Sequence, residues 1–428
     1  MDNVLQDIAS AALQALRAAG FEHAQATAAT SLVNELSAQD NEPSLLRSVQ
    51  SATLSLVGIV DGRQAKTQLT TPPLADLPAC AARLFDDARS VPQDAAHAVS
   101  AGEQLRLTQG PQECDPARLT QAMGDLLAFR RTQAPAMHLR DTIASHEQRR
   151  FHTLSTGGSD LAGQVGWYTL MAMGTARGEG GRASSFNYAA GHAHDLAAAW
   201  AADRFGIGAM MRDTTRQIDA KPLDGKFTGD VVLAPNAVED LLGWLLLQVG
   251  DTALLSGTSL YRDRVGQAIA SPLLTITARP DLPGVTGVSA DGFVVRAAPL
   301  VQAGVLQRLL PSLHASRKTG LPHSPSTNDG WEVQGGTTLL AEMVGGVRRG
   351  ALVGRLSMGR PASNGDFSGV IKNSVLLQGG EAGPALSETM ITGNVATMLQ
   401  DIMAISRERH DGGGWRLPWI RIGNLRFS

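Results

Sequence analysis

At 428 residues the chain is long enough for two domains rather than one small core. Its 43% hydrophobic and 18% charged residues are an ordinary globular composition, which excludes a wholly disordered chain. A net charge of −3 with both signs interspersed forces no strongly basic face, so a nucleic-acid partner is not expected. The two cysteines, Cys80 and Cys114, make neither a disulfide framework nor a zinc knuckle. The opening stretch carries Asp2 and Asp7 and no basic residue before Arg17, unlike a signal peptide. The longest nearly uninterrupted apolar run, residues 241–247, is too short to span a bilayer. Cytoplasmic residence without a membrane partner is the expectation.

Leu5, Ile8, Ala12 and Leu16 recur at intervals of three and four before Gly20, which predicts an amphipathic first helix with a glycine stop. Leu54, Leu56 and the run to Val60 reach Asp61-Gly62, a hairpin signal, and residues 64–71 read as the returning strand. Pro72-Pro73 breaks the chain. Leu77, Cys80 and Leu84 then line a second helix. From 149 to 174 the pattern is stranded: Gly157-Gly158-Ser159-Asp160 marks a turn, and Val165, Trp167, Thr169, Met171 and Met173 alternate. A helix over about 194–205 stopped by Gly206, and a polar joint over 212–230, are expected next. A short strand at 231–233 and a helix at about 238–249 follow. Nineteen of the 46 glycines fall between Gly320 and Gly423, so strands and tight turns, including 339–344 and 375–377, are expected there. A last helix is expected at 395–405. The fold class is α+β, with an N-terminal helix, hairpin and sheet domain over 1–215 and a glycine-rich, β-dominated domain over 216–428.

Spacing alone assembles no catalytic constellation. His146-Glu147 and His152 are six apart, where a zincin helix needs four, and Arg149 and Arg150 would crowd a dication; a solvated strand start is the simpler reading. His192, His194 and Asp195 could chelate from an extended segment, but they read better as a helix N-terminus with an acidic first turn. Gly178-Glu179-Gly180-Gly181 lacks the third glycine of a dinucleotide loop, and Gly225-Lys226 lacks the rest of a phosphate loop. No Gly-x-Ser-x-Gly elbow occurs.

The segment from Ser357-Met358-Gly359-Arg360-Pro361 to Gly365-Asp366-Phe367-Ser368-Gly369-Val370-Ile371-Lys372-Asn373 resembles the signature of the TldD/PmbA peptidase family. So do Gly383-Pro384 to Ser387-Glu388-Thr389-Met390-Ile391-Thr392-Gly393-Asn394-Val395 and the stretch from Gly304-Val305-Leu306 to Lys318-Thr319-Gly320. The resemblance is strong after about Asp230 and looser before it. In the TldD branch the first helix of the C-terminal domain holds His-Glu-x-x-x-His, which binds zinc. Here Gly243, Trp244 and Gln248 stand at those positions, and none of them is a zinc ligand of use. Ser259 to Gly266, with Arg262, resembles the TldE/PmbA branch.

The resemblance therefore implies a subunit without zinc, or any other cofactor, of its own. It would complete the peptide chamber of a heterodimeric metallopeptidase whose TldD-type partner carries zinc. Unfolded or leader peptides are the implied substrates. Arg262, Asn364, Asp366, Ser368 and Asn373 are the residues expected to face peptide or partner, with a simple turn-capping role for Asp366 as the alternative. Two rival readings remain: an active metallopeptidase using His192, His194 and Asp195, and a non-enzymatic peptide-binding homodimer.

Overall fold

The computed structural model describes residues 3–70, 73–197, 199–387 and 389–428. Met1, Asp2, Thr71, Pro72, Ala198 and Glu388, all covered by the sequence reading, lie outside these. The fold is α+β, with one sheet built from residues 23–193 and a larger one from residues 221–427. No helix among the described residues is long and apolar enough to cross a membrane.

Helix α1 (Asn3–Ala18) buries Leu5, Ala9, Ala12, Leu13 and Leu16, the stripe expected of its spacing. Strands β1 (His23–Gln39), β2 (Glu42–Val60) and β3 (Arg63–Thr70) then form a meander. Its second turn is Asp61-Gly62, with φ of 48° and 66°, as a two-residue hairpin loop requires. The first, Asp40-Asn41, has φ of 52° and 72° and joins two strands of which the first was not anticipated. Helix α2 (Leu77–Ser90) packs with α1 against this end of the sheet, around Leu54 and Leu56. Strand β4 (Gln104–Gln109) lies at the opposite edge. Helix α3 (Pro116–Gln133) starts with Asp115 accepting the Ala117 N–H at 3.0 Å and proline in its first turn.

Strands β5 (Met137–Ser155), β6 (Asp160–Ala176) and β7 (Asn187–Ala193) complete the first sheet in the order β3-β2-β1-β5-β6-β4, with β7 also on β6. Helix α3 and helix α4 (Ile207–Arg216) share a second core with Leu139, Ala144, Leu170 and Ala172.

In the second half, strand Phe227–Leu233 runs parallel to Arg349–Val353 and antiparallel to Trp415–Phe427. Its side chains alternate, as a strand's must: Val231 and Leu233 join the core beneath α5 (Pro235–Val249), while Val232 faces the opposite layer. Short helices α6 (Asp251–Ser256) and α7 (Leu313–Thr319) follow. Helix α8 (Leu340–Gly345) supplies Met343 to the layer on Val232, and α9 (Val395–Gln400) precedes the final hairpin.

Three expectations need correction. The described residues of the helix placed at 194–205 instead form an irregular run and a short 3-10 segment (Ala201–Gly206), with Phe205 and Gly206 at φ of 52° and 65°. Gly206 thus precedes helix α4 rather than ending one, and Ile207, Met210, Met211 and Thr214 are its buried stripe. Across the polar stretch 212–230, α4 continues to Arg216, and the buried Gln217 donates to the Ser374 carbonyl at 3.1 Å. Residues 340–345 are helical, since Leu340, Met343, Val344 and Val347 share a stripe against Val232 and Leu377, and Glu342 accepts the Leu339 N–H. Helix α9 ends at Gln400, and Ile402–Asp411 pairs as a strand with Trp415–Phe427.

Candidate functional site

Helix α5 begins at Pro235, packs on Trp415–Phe427 and buries Leu241, Leu242 and Leu245 completely or nearly so. Of its three positions of interest, Gly243 faces open space, while Trp244 and Gln248, one turn apart, share a buried face. An added Cβ at Gly243 would meet no atom within 4 Å, and Gly243 lines an open cavity. Trp244 is only 4% exposed and sits edge-on to Tyr261, with ring centroids 6.1 Å apart. Gln248 is equally buried: its Oε1 accepts the Leu260 N–H at 2.9 Å, and its Nε2 donates to the Ser363 carbonyl at 3.3 Å. The donor set does not fit zinc. Glycine brings no ligand, the indole is core, and the amide is engaged at both ends as a strut.

The cavity beside Gly243 has a volume of about 690 Å³ and lies between the two sheets. Leu246 and Leu247 of α5 form part of its wall, Gln64 and Lys66 of β3 another, and Trp331 and Trp415 add aromatic surface. Strand β3 is an edge strand, paired with β2 alone among the described strands. His97 and His314 also reach this cavity. Together with Asp94 they form a group whose ligand-type atoms lie within 4.8 Å of one another, the one such trio among the described residues. The imidazoles stack at 5.0 Å. Asp94 Oδ2 accepts from His314 Nε2 at 3.0 Å and from Lys318 Nζ at 3.0 Å. The His314 hydrogen bond first, with the Ala96 amide and Lys318, holds the Asp94 carboxyl far below the usual carboxylate range. Burial and the neighbouring His314 push His97 down. Two imidazoles and a carboxylate are a donor set that a divalent metal accepts. The carboxylate is also an ion-pair anchor from the loop before β4 to α7.

The residues expected to face peptide fall in separate places. Asn364 and Asp366 form a cluster with Asn394: Asp366 accepts from Asn364 Nδ2 and Asn394 Nδ2, both at 2.8 Å. Those two bonds, Asn394's first, lower the carboxyl's pKa although the group is open to solvent. Ser368 is exposed on the following strand. Asn373, at φ 51°, is buried in a turn and bridges to the first half, donating to the Phe186 carbonyl and accepting from Ser185 Oγ at 3.2 Å. None of these four lines the cavity described above. Arg262 lines a second cavity, of about 930 Å³.

The histidines singled out by spacing are scattered. His146 and His152 are buried in mid-strand rather than at a solvated start; one contacts the Pro111 carbonyl at 2.9 Å, the other Asp160 at 2.7 Å. His192 Nδ1 meets Thr169 Oγ1 at 2.9 Å, His194 Nε2 is buried without a partner among the described residues, and Asp195 caps the Ala197 N–H. His192, His194 and Asp195 do not converge on one point, which overturns the replacement metal site proposed for them. Gly178 to Gly181 is a loop with a short 3-10 turn between β6 and β7.

A family profile described as the PmbA/TldA metallopeptidase C-terminal domain matches residues 225–428. A metalloprotease of Methanothermobacter thermautotrophicus is 27% identical over 210 residues, covering 45% of this chain and 46% of that protein. The chain thus matches a little under half the length of that relative. Among solved structures, TldE from Thermococcus kodakarensis is 18% identical, covers 98% of this chain and 100% of its own, and superposes with a TM-score of 0.82. A proposed DNA gyrase modulator from Bacteroides thetaiotaomicron is 20% identical, covers 99% and 98%, and reaches 0.85. At these identities the solved structures establish the fold along nearly the whole chain.

Proposed function

We propose that this chain, which belongs to the TldD/PmbA family, is the subunit without the family's zinc site in a two-subunit cytoplasmic metallopeptidase. The hydrolytic metal would sit in a TldD-type partner, and this chain would supply a wall of the chamber that receives unfolded or leader peptides. The observation that carries the reading is helix α5, which stands where the resemblance places the family's zinc helix and whose Gly243, Trp244 and Gln248 offer no metal ligand. What the chain's own residues contribute is binding and orientation. The cavity wall of Leu246, Leu247 and aromatic rings takes apolar side chains, and the edge of β3 offers backbone groups to an extended peptide. Leu45, Leu46 and Val49 on the outer arm of β2 are exposed and supply apolar surface for a partner.

The test is co-expression with a TldD-type chain, sizing by light scattering, and elemental analysis of each species. The reading expects a stable pair with zinc on the partner only. About one zinc per copy of this chain purified alone would overturn it. One observation favours a second reading, in which the chain binds its own divalent metal at Asp94, His97 and His314. That reading requires metal to be retained by the lone chain and lost in His314→Ala; Lys318 on the same carboxylate oxygen weighs against it.

A further inference from the structure

The cavity that Arg262 lines has three arginines from separate segments, Arg262, Arg296 and Arg308. Among the described residues none of the three has an ion-pair partner, although the cavity also contains Glu103 and Asp263. Glu103 is otherwise engaged, its carboxylate accepting the Val294 N–H at 3.0 Å. Arg308 is under-satisfied: Nη2 donates to the Ala298 carbonyl at 3.3 Å, while its buried Nε has no partner among the described residues. Guanidinium groups without ion-pair partners in a cleft present forked donors matched to a carboxylate. Between them lie Val265, Leu309 and Leu321, which suit the apolar part of a peptide rather than a bare inorganic anion. Ser324 and Pro325 line both this cavity and the one beside Gly243, so the two are neighbours across one segment.

We infer that this second cavity is a carboxylate-binding subsite, in which Arg262, Arg296 and Arg308 hold an acidic group of a peptide whose adjoining part lies in the cavity beside Gly243. The inference rests on the peptide-chamber reading and adds a chemical preference to it. The carboxylate can come from the peptide's C-terminus or from acidic side chains, and the experiment separates these sources.

The probe is a fluorescein-labelled unstructured peptide, measured by anisotropy with the full chain paired with its TldD-type partner. It is used in three forms: with a free C-terminus and acidic residues, with the C-terminus amidated, and with Asp and Glu replaced by Asn and Gln. The free acidic form should bind tightest, and Arg296→Gln and Arg262→Gln should each weaken it by about tenfold, with melting temperatures unchanged. Whichever neutralised peptide becomes insensitive to the two substitutions identifies the source of the carboxylate. Equal binding of all three peptides, unaffected by either substitution, overturns the subsite while leaving the chamber reading intact. No binding of any form overturns the chamber reading itself. Inorganic phosphate displacing the peptide at concentrations below the peptide's own Kd would assign the pocket to phosphate and overturn the carboxylate inference.

Discussion

Substitution of Gly243 tests the reading of α5 from both sides. The residue lies inside the helix, takes no positive φ, and would present an added Cβ to open space. Nothing in the geometry therefore requires glycine, and the backbone entropy it loses on folding is an uncompensated cost. Gly243→Ala should stabilise the protein by about 0.5–1 kcal/mol. Spread over a unit of roughly 200 residues, that raises Tm by roughly 1–4 °C. Gly243→Trp carries the argument further, because its indole must project into the cavity of about 690 Å³ and occupy space a peptide would use. The fold should survive, while binding of a labelled unstructured peptide by the pair should drop sharply. Scanning calorimetry reads the first effect and fluorescence anisotropy the second. A lower Tm for Gly243→Ala would show that the position is packed rather than open. Undiminished peptide binding by Gly243→Trp would show that the cavity is not on the peptide's path.

Trp244→Ala removes a nearly buried indole from its contact with Tyr261 and should cost about 3–5 kcal/mol, read by denaturant unfolding. A cost below about 1 kcal/mol would refute its role as core. Asp94→Asn loosens the tie between the loop before β4 and α7 and should lower stability by about 1–2 kcal/mol near neutral pH. Because the folded carboxyl lies below its unfolded value, this contribution is full above about pH 4 and is lost as pH falls further. The difference in Tm between wild type and variant should therefore close only in acid, and a gap that closes on going from neutral to alkaline pH would contradict the assignment. Asp366→Ala should leave Tm unchanged and impair cleavage by the pair if the carboxylate meets peptide. A fall in Tm with normal cleavage would assign it to the Asn364–Asn394 turn alone.

The parts of the fold legible in the sequence were those with strong local signals. Residues 231–249 combine two β-branched residues followed by leucine, a proline at the helix start and an apolar run, and both strand and helix are found there. Asp61-Gly62 marks its hairpin for the same reason. Strand β1 escaped notice because residues 31–36 are only partly buried, which blurs the alternation, and because its turn uses Asp40-Asn41 without glycine. The glycine at 206 misled, since a positive φ opens a helix there as readily as it closes one. That residues 243, 244 and 248 offer no useful metal ligand was visible in the residue types, but the strut made by Gln248 was not, because its partners lie on other segments. The Asp94, His97 and His314 group was invisible for a plainer reason. Some 220 positions separate Asp94 from His314, and only the packing of the two sheets brings them together.

The central claim is that chemistry requires two different chains, one holding metal and this one shaping the chamber. The most direct measurement is digestion of an unstructured peptide by this chain alone, by the TldD-type partner alone, and by the reconstituted pair. Each protein is first freed of trace proteases. The account predicts cleavage by the pair and little or none by either chain separately. Robust cleavage by this chain alone, unchanged when the partner is added, would contradict it.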